Sequence, residues 1–335
     1  MKRYGNLYDR VTGFENMYEA YLDARRGKRK SHACFEFETN LSANLDALCA
    51  ALADRSYCVT PYVKFWIQEP KPRLIYAPSF RDVVVQHAIY RLIYPLFDAR
   101  FVDTTYACRI GGGTHKASDY MQHALRQYPG DLYLLQLDIK RYFYNIDRDI
   151  LRVTLARTIK DGALLDLMMM FADLPDEPVG IPIGNLLSQL YAGIYLSGMD
   201  HFIKREMKIR HYVRYVDDFV LVGLTRERAE ACLSAIKYYI WSRLNLELSK
   251  WRIAKISQGI NFVGYRTWRS RRFIRKHSLY KFSRAVRACD SVVVNSLLGH
   301  AKDTNSLPDM VRGAVDSGLA VPVGFLKCGK KDNKS

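Results

Sequence analysis

No run of about 18 apolar residues occurs in this 335-residue chain, and no basic-then-apolar stretch opens it, so neither a transmembrane helix nor a secretory leader is expected. The seven cysteines, at 34, 49, 58, 108, 232, 289 and 328, are odd in number, scattered, and never spaced Cys-x-x-Cys. That excludes a zinc knuckle and a disulfide framework, and it makes a reducing, cytoplasmic setting the expectation. Internal repeats and low-complexity linkers are absent, which favours one continuous unit with lobes. The glycines of Arg109-Ile110-Gly111-Gly112-Gly113-Thr114-His115 lack phosphate-loop spacing. Acid is also scarce: 34 Asp and Glu stand against 51 Lys and Arg, a net charge of +17.

What is present points to a polyanionic partner. Apolar residues make up 49% of the chain, enough for a large core in two or three lobes. Nucleic acid leads a membrane surface as the partner, because a phosphate backbone rewards distributed cations through counterion release. Between Arg266 and Arg287 lie nine Lys or Arg and no acid, interleaved with Trp268, Phe273, Tyr280 and Phe282. Cations alternating with rings suit phosphates and stacked bases. Arg266, Arg269, Arg271, Arg272, Arg275 and Lys276 are the RNA-binding candidates of this stretch.

Two adjacent carboxylates, Asp217 and Asp218, sit inside the apolar, β-branched run from Arg214 to Val222. Burying them costs several kcal/mol, on the order expected for unpaired charge, unless a cation or strong hydrogen bonds compensate. Period-two patterning predicts strands over His211–Val216 and Phe219–Val222 with the pair at a hairpin turn. A second apolar run, from Leu132, ends at a single acid, Asp138. Side by side in one sheet, Asp138, Asp217 and Asp218 would form an acidic cluster fit to hold two divalent ions for in-line phosphoryl transfer.

Around these lie the expected supports. Helices are predicted over Asn6–Ala24, from a cap at Thr39 or Asn40 to about Ala53, and from Asp82 until Pro95 bends or ends it. A strand-turn-strand over Val63–Ala77 carries Lys71 and Arg73, cations suited to a triphosphate. Gly180–Gln189 reads as a constrained loop entering a helix to about Arg205. A further helix covers about Arg226–Leu244, followed by short strands at Leu246–Lys250, Lys255–Ser257 and Ile260–Trp268.

Seven ordered segments together resemble a reverse transcriptase over about residues 60 to 300. KPRLIYAP with RDVVVQHAI resembles the fingers segment of bacterial reverse transcriptases, and TYACRIGGGTHKA their second motif. LQLDIKRYFYNID resembles motif A, GIPIGNLLSQ motif B, RYVDDFVLV motif C, LELSK motif D and INFVGY the primer grip. The resemblance implies an α+β right-hand polymerase: an N-terminal extension at 1–60, fingers at 61–130, palm at 131–268, and a small helical thumb with tail at 269–335. It implies Asp138, Ile139, Asp217 and Asp218 as the metal-holding set for two Mg²⁺, with Mn²⁺ as a possible substitute, and Lys250 as a proton donor to pyrophosphate. It places Lys71, Arg73, Phe143, Ile183, Gly184 and Gln189 around the dNTP, with Phe143 as the steric gate. Phe262, Val263, Gly264 and Tyr265 would hold the primer.

Motif B departs from the common Gln-Gly-x-x-x-Ser-Pro pattern, reading Ile183-Gly184-Asn185-Leu186-Leu187-Ser188-Gln189. An apolar residue before the glycine and Gln189 in place of proline resemble the reverse transcriptases of diversity-generating retroelements. NLYDRVTGFENMYEAY, GKRK and the late SLLGHA resemble that group as well. The resemblance implies error-prone copying of a template-repeat RNA into cDNA, with errors opposite adenine. The implied partners are template RNA, primer or cDNA, dNTPs and a small basic accessory variability protein, in a bacterial or phage-infected cytoplasm, without a membrane. Only about 50 residues follow Arg287, which departs from the group II intron pattern. The alternatives are a retron or defence-type enzyme, or a catalytically inactive RNA-binding relative.

Overall fold

Extended, β-branched and aromatic residues produce the first hairpin, Val63–Ile67 (β1) and Arg73–Ala77 (β2), paired with Phe65 opposite Ile75. The computed structural model describes residues 3–68, 72–174 and 176–326, so the tip of this hairpin, with Lys71, lies outside the described residues. The fold is α+β, with helices packed on antiparallel sheets. Among the described residues no helix is long and apolar enough to cross a membrane.

A four-stranded antiparallel sheet lies at the centre, built from Tyr133–Ile139 (β3), His211–Tyr215 (β4), Asp218–Leu224 (β5) and Leu248–Lys255 (β6) in the order β4-β5-β3-β6. Side-chain alternation sends Leu135, Leu137 and Ile139 of β3 into the largest core. They meet Phe219 and Leu221 of β5 and apolar residues of the helices Leu186–His201 and Arg226–Leu244. Each such buried aliphatic side chain contributes about 1.5–3 kcal/mol. Leu134 faces the other way, joining Val220 and Val222 against Ala117, Met121 and Leu125 of the helix Thr114–Arg126. Gln136 and Asp138 share Leu134's face by the same alternation, but there the apolar cover ends. One face of the sheet is therefore sealed along its length, and the other is open at the end where the acid stands.

Local chemistry sets the ends of these elements. The Thr225 side chain caps the helix Arg226–Leu244 by accepting from the Arg228 amide, and Asn245 ends it in the left-handed region at φ 51°. The stretch expected as one helix from Asn6 breaks into Tyr8–Thr12 and Phe14–Ala24, because Gly13 is extended between them. The helix Phe80–Asp98 starts from a Ser79 cap and continues through Pro95, its final turn held by buried Ile93, Tyr94 and Phe97. In place of the strands expected at Leu246–Lys250 and Lys255–Ser257 there is one strand, β6, because Leu248–Lys255 pairs along β3, while Ile256 and Ser257 enter a short 3-10 turn.

A three-stranded sheet, Ile260–Phe262 (β7), Tyr265–Thr267 (β8) and Arg272–Ile274 (β9), leads to the helices Lys276–Arg287, Ser291–Ala301 and Leu307–Asp316, which enclose a separate small core. Strand β9 lies past residue 268, inside the stretch expected as a small helical thumb.

Candidate active site

The β4–β5 turn is only two residues long, Val216 and Asp217, with Tyr215 opposite Asp218. Val216 takes φ 58°, a conformation that a β-branched residue adopts only under constraint. The constraint comes from below. Arg214 Nη1 donates to the Val216 carbonyl at 3.0 Å, while its Nε and Nη2 reach the two oxygens of Asp200 at 2.8 and 2.7 Å. Asp200 also accepts from the Tyr212 hydroxyl at 2.6 Å, and Arg214 and Asp200 are 3% and 0% exposed. Burial works against the guanidinium charge and Asp200 restores it, so the basicity of Arg214 is raised overall. Neither Asp200 nor the clamping role of Arg214 was visible in the sequence pattern.

Register then sets out the chemistry. Asp138 on β3 stands directly opposite Asp218 on β5 and, on its other side, opposite Lys250 on β6. Two carboxylates and an ammonium thus form one row across three neighbouring strands. A bulge in β6 leaves Ser249 between the residues paired with Asp138 and Ile139, and its hydroxyl donates to the Asp138 side chain. Gln136 Nε2 donates to Asp218 Oδ1 and to the Asn261 carbonyl, both at 3.0 Å, tying the central sheet to β7. Ile139 donates its amide to the Asp217 carbonyl at 3.3 Å. A cleft of about 490 Å³ opens over the row, with Asn261 and Arg275 on its far wall.

Burial, above all, pushes the carboxyl of Asp218 up to about 7; the charges of Asp138 and Asp217 add to this, while Gln136 and Arg275 oppose it. A cation placed beside this buried pair would favour its ionised form. Oxygen donors with an unmet demand for cations fit a hard divalent ion. Among the described residues, however, no three His, Cys, Asp or Glu side chains converge as a ready metal cage. Asp138 and Asp218 form the close pair, and Asp217 adds charge beside them.

Apart from the cleft lining, three segments carrying expected dNTP-site residues converge. Tyr76 of β2 donates its amide to the Ile183 carbonyl at 2.8 Å, and Ile181 donates to the Phe143 carbonyl at 2.9 Å. The Tyr144 hydroxyl accepts from the Leu74 amide at 3.2 Å. Gly184 has φ 119°, and a Cβ there would come within 3.0 Å of the Ile75 side chain and the Tyr76 carbonyl, so only glycine fits. Ile183 and Phe143 are half-buried at this junction, while Gln189 and Arg73 are exposed. Tyr144, Ser249, Gln136 and Asn261 escaped the sequence reading, since nothing in their spacing marks them.

The basic stretch divides three ways. Arg275 faces the acidic cleft. Arg269 and Arg271 lie elsewhere, and Lys276 is exposed at the start of its helix. Arg272, expected to face RNA, is corrected: it is buried and binds Asp119 at 2.6 Å, Ser118 at 3.0 Å and the Asp303 carbonyl at 2.9 Å. In the expected primer grip, Phe262 and Tyr265 turn inward, at 0% and 1% exposure, and anchor the turn formed by Val263 and Gly264.

An acidic row at the open end of an antiparallel sheet, in a strongly basic chain, is an arrangement suited to metal-assisted phosphoryl transfer on a polyanion. Residues 68–267 match the family model "Reverse transcriptase (RNA-dependent DNA polymerase)". The chain belongs to that family, whose enzymes are RNA-directed DNA polymerases. It is 24% identical over 290 residues to the group II intron-encoded protein LtrA of Lactococcus lactis, covering 64% of this chain and 48% of that protein. The chain thus spans about half the length of that relative. It is 23% identical over 304 residues to the protein YkfC of Escherichia coli, covering 74% and 76% of the two. A telomerase structure from Candida albicans matches with a TM-score of 0.49 at 12% identity, over 84% of this chain and 62% of the other.

Proposed function

We propose that the chain copies RNA into DNA by metal-assisted nucleotidyl transfer, and that it serves a diversity-generating retroelement with adenine-directed errors. The observation that carries the catalytic reading is the cross-strand row of Asp218, Asp138 and Lys250 under an open cleft. In this reading β1–β2 belongs to the fingers, the four-stranded sheet is the palm and the helices after Lys276 are the thumb. Asp138 and Asp218, with Asp217 and the Ile139 carbonyl, would hold Mg²⁺, or Mn²⁺ in its place. When bound, such ions neutralise phosphate charge and acidify a primer 3′-hydroxyl. Ser249 and Gln136 fix the carboxylate orientations, and Lys250 beside Asp138 offers a proton toward departing pyrophosphate. Arg73, and Lys71 before it, would neutralise the triphosphate. Phe143 would exclude a ribose 2′-hydroxyl. The turn of Val263 and Gly264, anchored by Phe262 and Tyr265, would meet the primer backbone.

Primer extension with Mg²⁺ on an RNA template tests this. Losing one ligand-bearing carboxylate removes several kcal/mol of charge stabilisation, so Asp218→Asn should slow extension on the order of 10³-fold. Equal rates in the variant would remove the catalytic assignment.

The retroelement assignment rests on Ile183 and Gln189. Ile183 supplies no side-chain amide beside the nascent pair, so mispairs lose less relative to correct pairs. Its main chain is held by Tyr76, which keeps that side chain at the β2 junction. Replacing Ile183 with Gln should lower the adenine error frequency in sequenced cDNA; an unchanged frequency would end this explanation. A template-repeat RNA, dNTPs and a small basic accessory variability protein in a bacterial cytoplasm complete the reading.

A further inference from the structure

At the opposite end of the central sheet lies a second concavity, of about 600 Å³, lined by Arg126, Ser257, Trp268, Arg269, Ser270 and Arg271 together with Ile256. Ile256 donates its amide to the Leu132 carbonyl, just before β3 begins. With ~3.3 Å of rise per strand residue from Leu132 to Asp138, the pocket lies roughly 20 Å from the carboxylate row. It shares no lining residue with the acidic cleft.

Its chemistry differs from that of an ordinary basic surface. Trp268 is fixed, packed on the Gly259 backbone so closely that a Cβ there would lie 2.8 Å from the ring, and edge-on to Phe273 at 6.1 Å. The guanidinium groups of Arg266 and Arg271 lie 4.8 and 5.4 Å from the ring centroid. Arg126 Nε donates to the Arg269 carbonyl at 2.8 Å, joining the helix Thr114–Arg126 to the β8–β9 loop. No carboxylate lines the pocket, and among the described residues none of Arg126, Arg266, Arg269 and Arg271 joins an ion pair. Burial above all, with neighbouring Arg252 adding to it, depresses the basicity of Arg266. By contrast, Arg272 in the same stretch is committed to Asp119.

We propose that this pocket binds a single-stranded RNA segment outside the copying cleft, its phosphates on Arg126, Arg269 and Arg271 and one base against Trp268. An anchored ring with uncompensated arginines recognises unstacked bases and phosphodiesters together. An RNA held there stays on the protein while another part of it occupies the cleft.

The proposal needs RNA as a partner, as the polymerase reading does, but it is read by binding and not by extension, so the two can fail separately. A fluorescent 12-nucleotide RNA would be titrated into the full chain already saturated with an unlabelled primer–template duplex. The wild type should still bind it. Arg269→Gln with Arg271→Gln should weaken that binding about tenfold and reduce the steepness of log K against log salt by about 1.4, the share of two lost single-strand phosphate contacts. Ultraviolet crosslinking of the wild-type complex should attach the RNA to the peptide bearing Trp268, a readout independent of whether the variant folds. Complete displacement of the 12-mer by duplex, unchanged affinity and slope in the variant, or crosslinks confined to the cleft would overturn the proposal. So would preference for the DNA oligonucleotide of the same sequence, which would assign the pocket to the product strand, or stronger competition by polyglutamate than by RNA.

Discussion

Removing the carboxylate beneath the β4–β5 turn separates scaffold from the proposed chemistry. In Asp200→Ala, Arg214 loses partners at 2.8 and 2.7 Å and the Tyr212 hydroxyl loses its 2.6 Å acceptor, all at a position with no solvent exposure. Breaking a buried ion pair by deleting one member costs about 3–5 kcal/mol, because the orphaned charge cannot reach water. The unfolding midpoint in urea, followed by tryptophan fluorescence and circular dichroism, should fall accordingly. A double variant, Asp200→Leu with Arg214→Met, removes both charges, and replacing a whole pair by apolar residues is often neutral or stabilising. Its stability should recover in part, short of wild type by about 1–3 kcal/mol for the buried Tyr212 hydroxyl left without an acceptor, and the Val216 carbonyl would still lack the Arg214 donor. Primer extension should therefore stay depressed, roughly 10-fold or more, since small misplacement of a reacting group is costly. If Asp200→Ala lost under about 1 kcal/mol, the pair would not be the buried support inferred from its geometry. If the double variant recovered full extension, the turn would not depend on the clamp.

Other substitutions test other parts of the molecule. Arg272→Met should destabilise by about 2–3 kcal/mol through its lost charge-assisted bonds to Asp119, Ser118 and the Asp303 carbonyl, while the salt dependence of RNA binding stays the same. Gly184→Ala forces a Cβ against the Tyr76 carbonyl at φ 119°, so extension should fall sharply and stability by about 1–3 kcal/mol. Tyr144→Phe removes the acceptor of the Leu74 amide, and a raised KM for dNTP with little change in the unfolding midpoint is expected. Burial pushes the His87 imidazole down to about 4, below its ordinary value of 6.5. The unfolded chain therefore takes up that proton first, and stability present above pH 6.5 is lost as pH falls toward 4. Allowing for screening, the loss is about 1–2 kcal/mol, and His87→Leu should flatten the unfolding midpoint over that range.

Much of this was legible because period and punctuation are local. The strand leading to Asp138 announces itself by an apolar run ending in one acid, and the helix expected over about Arg226–Leu244 has those bounds. The β4–β5 hairpin was readable from two apolar stretches flanking two carboxylates. What resisted reading depends on distant partners. Nothing near Arg272 in sequence shows that Asp119, 153 positions away, will claim it. Asp200 looks like any polar residue on a helix until the fold sets Arg214 against it. The basic run looks uniform because charge is counted along the chain, whereas its destinations are decided by β8 and β9 turning successive arginines toward different surfaces.

The bulge at Ser249 bears on how the molecule excludes inactive copies of itself. A one-residue slip of β3 against its neighbours would carry Gln136 and Asp138 into the main core and expose Leu135 and Leu137. The same slip would dismantle the row with Asp218 and Lys250 and bury an acid without a partner. Alignment of the carboxylate row and core burial are thus two readouts of a single registration, pinned where the extra residue of β6 interrupts the ladder. A misregistered chain would be penalised in stability, so the register that fills the core is also the one that assembles the row.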